Sequence, residues 1–273
     1  MVQRQWKTRL FERLLMGGVL AVILAPLVAT VLLSVFHTEG HSGGYRPWAL
    51  SRPTLSSYRA AWNDDDAREA IENSLLLALA VGVPASLLAF VCSVSWWKAG
   101  VRNLLLVLLF CIVAVPGDVH SIGMLGLLKV FGLQESSLIV LWFSLVIWVL
   151  PFATAIMMVA VSQIPNNLIA ASGDLGASRV TTLWRIVFGL TYPAIGSAAL
   201  VGALMTLSDY VRGFYLGGGS LLLGRHLMKK MNSGSDPSTY ALAGFTFLLG
   251  VLFLILAVMG GQRTAARLGL RAK

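Results

Sequence analysis

Apolar runs close to the about 20 residues that cross a hydrocarbon core recur six times in this chain, and no other feature constrains its fold so tightly. They cover Leu14 to Phe36, Asn73 to Val94, Leu104 to Phe131, Leu138 to Val161, Tyr192 to Leu216 and Tyr240 to Gly261. In lipid every backbone N–H and C=O must be satisfied within the chain, so runs of this length are read as helices. Composition agrees: 57% of the 273 residues are hydrophobic and 12% are charged, and mean hydropathy is +0.78. A water-soluble domain has a lower apolar share. The expectation is an all-α, polytopic membrane protein with six transmembrane helices.

The first run follows Arg4, Lys7, Arg9 and Arg13, a pattern shared with cleaved secretory leaders. Its apolar stretch is too long for that, and no small-residue cleavage site follows Phe36. The chain therefore divides into a cytoplasmic basic amphipathic segment (1–13), a first transmembrane helix (14–36), a periplasmic segment (37–70), a core of five transmembrane helices (71–262) with a cytoplasmic loop over 163–190, and a cytoplasmic basic tail (263–273). Both termini are expected in the cytoplasm. That arrangement places 12 of the 21 Lys and Arg residues inside, the direction in which such residues set topology. The net charge of +9 then reads as attraction to anionic lipid headgroups and not as a nucleic-acid footprint. Cys92 and Cys111 sit in apolar runs without neighbouring ligands and read as packing residues. The acidic run Asp64, Asp65, Asp66 lacks the glycine and distal glutamate of a calcium loop and reads as a helix N-terminus.

Two runs are interrupted. Pro116, Gly117 and Asp118 break the third, and Ser208, Asp209 and Arg212 lie in the fifth. Ionisable groups at membrane depth face protein or a water-filled path, which makes Asp118, His120, Asp209 and Tyr210 the candidate translocation residues. Each has a plain alternative: Asp118 caps a helix restarted after Pro116, and Asp209 pairs with Arg212 three residues on.

The stretch LIAASGDLGASRVTTLWRIVFGLTYPAI, 168–195, is polar and glycine-punctuated between two hydrophobic runs. Pro165, Asn166 and Asn167 end the fourth run and offer a cap. Leu168, Ala171 and Leu175 share one helix face. Gly176 suits the left-handed position that stops a helix, and Ser178 suits the cap of the next. Val180, Leu183, Trp184 and Val187 then repeat at helical spacing, and Pro193 marks entry to the fifth span. Two short helices joined at a glycine form either a surface connector or a docking element.

This stretch resembles the cytoplasmic loop of the integral-membrane permeases of binding-protein-dependent ABC importers. That loop begins Glu-Ala-Ala, has a glycine six residues after the glutamate and ends near Ile-x-Leu-Pro. Aligned on Gly176, Ala171 takes the first alanine and Ile186 the isoleucine. Ala170 stands in place of the glutamate, Ser172 of the second alanine and Gly189 of the proline. AIENSLLLALAVGVPASLLAF, VPGDVHSIGML and LMTLSDYVRGFYLGGG are similar to further segments of the spermidine/putrescine branch. The resemblance implies the type I importer permease fold and an ATPase-coupling loop carried by Ala170, Ala171, Asp174, Gly176, Ala177, Ser178, Ile186 and Gly189. It also implies partners: a dimer of ABC ATPase subunits that bind ATP and Mg, an extracytoplasmic solute-binding protein and a second permease subunit. The missing glutamate points to that second subunit being a different chain. The implied cargo is a polyamine-like cation, with phosphonates, opines or amino-acid derivatives and iron chelates carried elsewhere in the branch.

Rival classes fare worse. GSLLLGRH, Gly219 to His226, has Arg225 and His226 where a phosphate loop needs Lys and Ser or Thr. Asp118 and His120 are two apart and do not share a helix face, and hydrolase signatures are missing from the sequence, so no catalytic residue, metal site or resident cofactor is expected. A stand-alone channel or secondary transporter would leave the loop without a partner.

Overall fold

A computed structural model describes residues 2–36, 55–95, 107, 109, 111–132, 137–233 and 237–267. Residues 37–54 of the segment expected as periplasmic and 268–273 of the expected basic tail lie outside the described residues. All elements are helical: α1 Val2–Val35, α2 Ser56–Asn63, α3 Asp65–Ser95, α4 Gly117–Val130, α5 Leu138–Ser162, α6 Asn166–Asp174, α7 Arg179–Thr182, a π-helical turn Leu183–Phe188, α8 Gly189–Ser208, α9 Tyr210–Leu216, α10 Leu223–Asn232 and α11 Pro237–Arg267. Among the described residues five helices are long and apolar enough to cross a membrane: Met16–Val35, Asp65–Val94, Leu138–Ser162, Arg179–Ser208 and Ser238–Ala266. The third expected run is interrupted at Pro116, and the helix that follows the interruption, α4, has 14 residues.

The chain forms two compact units, one of residues 1–68 and 229–247, the other of 69–228 and 248–273. In the first, the Ser34 and Tyr58 hydroxyls are 2.8 Å apart, joining α1 to α2. Asp64 caps α3 through the Ala67 N–H at 3.3 Å and meets Lys230 Nζ at 2.6 Å. The acidic run thus acts as a helix N-terminus, as its composition indicates.

The second unit holds the main core, built where α3, α5 and α8 cross. Leu145, Val149, Ala153 and Met157 recur every four residues along α5 and are all buried, as are Ala194, Ile195 and Ala198 of α8. Lipid supplies no hydrophobic drive between helices, so close backbone approach through small residues does that work. A Cβ on Gly82 would collide with the Ala199 carbonyl oxygen and lie 3.1 Å from the Ala203 nitrogen, and one on Gly202 would lie 2.7 Å from Val149 Cγ1. Glycine is required at both positions by space. Trp142 Nε1 donates to the Ala80 carbonyl at 2.7 Å, and Ser197 Oγ reaches the Ala257 carbonyl at 2.7 Å, joining α8 to α11.

Two local expectations need correction. Pro193 does not open the fifth long helix: it lies inside α8, and the stretch long and apolar enough to cross a membrane runs from Arg179 to Ser208. Proline is tolerated within apolar helices because neighbours take up the freed backbone groups. The second short helix is therefore continuous with that long helix. Asn166 and Asn167 do not cap α6 either, since the cap position is Pro165, without a side-chain bond. Proline there needs no N–H partner and already holds an extended backbone.

Candidate functional site

The coupling-loop candidates and the candidates at the two interrupted runs form two separate places in the second unit. At the loop, α6 ends in a Schellman closure: the Ala177 N–H reaches the Ser172 carbonyl at 2.9 Å and the Gly176 N–H reaches that of Gly173 at 2.8 Å. Gly176 has φ +78°, a conformation that L side chains resist. Ser178 then caps α7 by accepting from the Thr181 N–H at 3.2 Å. Across this corner the Ser172 and Thr182 hydroxyls lie 2.9 Å apart, and Ser172 Oγ also donates to the Ile169 carbonyl at 2.7 Å. Both residues are buried. The clamp was not legible in the sequence, although the serine replacing the second alanine of the loop motif was its visible trace.

Ala170, Ala171, Asp174, Gly176 and Ser178 are exposed, whereas Ala177, Ile186 and Gly189 are half-buried. Three large apolar side chains face outward around the corner: Leu175 at 89% exposure, Val180 at 65% and Trp184 at 58%. From α7 the π-helical turn runs without interruption into α8. Phe188 of that turn packs edge-on against Phe90 of α3, with centroids 5.7 Å apart. A push on the corner therefore has a helical path into the core.

Inside, α8 breaks at Asp209, whose backbone is extended (φ −83°, ψ 94°). Its carboxylate caps α9 by accepting from the Arg212 N–H at 2.9 Å, and its other oxygen pairs with Arg212 Nη1. Both side chains are almost wholly buried. The guanidinium lies over Trp148, 4.1 Å from the ring centroid, a cation–π contact. His120 of α4 stands beside Ser144 of α5, with 3.2 Å between Nδ1 and Oγ, within electrostatic reach of Arg212 and Asp209. The structure thus gathers His120 and Asp209 with Ser144, Trp148 and Arg212. Asp118 is exposed on the first turn of α4, where the cap position is Pro116 without a side-chain bond, so Asp118 does not serve as that cap. Tyr210 is half-buried and stacks on Phe214 at 5.8 Å. A cavity of about 10 Å³ beside Asp209, bordered by Ser74, Thr206, Gly213 and Gly224, has room for about one water.

Leu222 and Leu223 are buried in the glycine-rich segment that follows. Asn73 Nδ2 donates to the Leu221 carbonyl at 3.2 Å, and Ser74 Oγ accepts from the Leu223 N–H at 2.8 Å. The segment therefore leads into α10 and is tied to α3. Arg225 donates to the Gly218 carbonyl, a role unrelated to phosphate binding.

No protein-family model matches the chain. It is 25% identical over 246 residues to the spermidine/putrescine transport system permease protein PotC of Escherichia coli K12, covering 89% of this chain and 92% of that one. The corresponding Haemophilus influenzae protein is 25% identical over 206 residues, 73% of this chain and 79% of that one. A solved bacterial alginate ABC transporter, in complex with its pentasaccharide-bound periplasmic protein, superposes with a TM-score of 0.65 over 99% of this chain and 97% of that one, at 15% identity. The chain is an ABC importer permease. Its broken third run, helix corner and Asp209 break are the parts of this permease that the sequence singled out, and it is a multi-pass membrane protein.

Proposed function

We propose that this permease passes a small organic solute, in the first place a polyamine-like cation, across a bacterial inner membrane with both of its own termini in the cytoplasm. The cargo class follows the printed names of the relatives that span nearly all of the chain. An extracytoplasmic binding protein delivers the solute, and a dimer of ABC ATPase subunits holds the ATP and Mg. The observation that carries the reading is the corner at Gly176: closed by its own hydrogen bonds, apolar on its outer face and continuous with a core span. It has the form of an element that grips a moving partner. Ala170, Ala171, Asp174, Gly176, Ala177 and Ser178 form or border the gripping face, and Ile186 and Gly189 carry the motion inward. Asp209, His120, Tyr210 and Asp118 belong to the path.

Alanine at 170 removes one charge-assisted hydrogen bond, worth about 1.5 to 3 kcal/mol where well made. A second, different permease chain then supplies the stronger grip. The test is purification with native partners, followed by a screen for the solute-loaded binding protein that stimulates ATP hydrolysis. Stimulation by a binding protein loaded with an amine-bearing solute is expected, and Ala170→Glu is expected to raise transport per ATP. Full-rate solute movement without an ATPase, or labelling of residues 168–190 from outside the cell, overturns the reading.

A further inference from the structure

Arg212 is 2% exposed. Its Nη1 serves Asp209 and its face lies on Trp148, yet Nε and Nη2 are buried with no hydrogen-bond partner among the described residues. Those two nitrogens form one edge of the guanidinium, with parallel N–H bonds spaced to meet the two oxygens of a carboxylate. Asp209 has taken the other end. Ion pairing and ring stacking are both complete without this edge, so a structural role for Arg212 leaves two buried donors unexplained, a costly arrangement that folded proteins avoid.

We propose that the Nε and Nη2 edge of Arg212 is a carboxylate subsite on the translocation path, and that the cargo is an amine that also bears a carboxylate. The charge balance supports this. Asp209 already neutralises Arg212, so a simple polycation meets no free carboxylate at this point and a guanidinium close by. A solute with its own ammonium and carboxylate adds no net charge to the cluster while satisfying both open donors. Space at the site is small: the neighbouring cavity holds about one water, and at Asp209 the backbone leaves α8 extended before α9, which carries Arg212, begins.

The inference rests on the importer reading and refines its cargo. Putrescine and ornithine are matched probes, because they differ by one carboxylate. Equilibrium binding of each, as the labelled compound, is measured on the purified transporter complex. The wild-type complex is expected to bind ornithine about tenfold more tightly than putrescine, and Arg212→Lys to abolish that preference: lysine keeps a cation for Asp209 but lacks the paired N–H edge. Asp209→Asn/Arg212→Gln, which removes both charges together, is the second variant and is expected to behave in the same way. A wild-type complex that binds putrescine as well or better, or binds neither probe, overturns the subsite. So does an ornithine preference that survives both variants. Failure of the importer reading shows separately, as ATP hydrolysis that no loaded binding protein stimulates.

Discussion

The helix corner at Gly176 and the helix break at Asp209 are opposite solutions to the same local problem, a backbone that must stop being helical. At the corner, the turns close on themselves: Ala177 and Gly176 bond back to α6, Ser178 caps α7, and Ser172 meets Thr182. What remains outward is apolar, with Leu175, Val180 and Trp184 all exposed. At the break, one residue, Asp209, both caps α9 and neutralises Arg212, and the open groups face inward. A corner whose own polar groups are satisfied keeps its shape and leaves apolar surface for a protein partner. A break that leaves buried donors open suits a guest that comes and goes.

The contrast can be broken at several points. The largest effect is expected from Gly82→Leu at the α3 and α8 crossing, where the neighbours are backbone atoms that cannot yield. Overpacking there should cost about 3 kcal/mol or more, seen as loss of monodisperse detergent-solubilised protein. Asp209→Asn comes next: it leaves the Arg212 cation buried and uncompensated, a loss of about 3 to 5 kcal/mol. The Asp209→Asn/Arg212→Gln double variant should recover most of it in thermal unfolding. Wild-type stability for Asp209→Asn alone would show that the break is wetter than its burial indicates.

At the corner the effects are smaller and fall on coupling. Gly176→Ala meets no atom within 4 Å, so its cost is the left-handed backbone alone, about 1 to 2 kcal/mol. Reduced solute-stimulated ATP hydrolysis at normal expression is the expected readout. Ser172→Ala and Thr182→Val should each cost about 1 kcal/mol. A double-mutant cycle on transport per ATP should show them non-additive by about 0.5 kcal/mol or more. Additive behaviour would separate the two hydroxyls and remove the clamp from the coupling path.

Much of this was legible residue by residue. The run Leu138 to Val161 coincides with α5 but for its last residue, and Gly176 and Ser178 take the roles that their side-chain chemistry indicated, because a cap depends only on its own turn. The pairing of Asp209 with Arg212 was open at spacing i, i+3 for the same reason. Pro193 misled because its usual meaning belongs to helix ends in water, and α10 was hidden inside a glycine-rich stretch read as loop.

The sequence by itself determined that the chain lives in lipid, roughly where most of its long apolar helices run and where two of them break, since each of these depends on hydrophobicity or on bonds a few residues long. Tertiary structure alone decided that Trp148 underlies Arg212, that Ser144 meets His120, that Gly82 faces Ala199 and that Ser172 locks to Thr182. Those contacts join residues 10 to more than 100 positions apart. Packing between helices brings them together, and no short-range rule encodes which faces will meet.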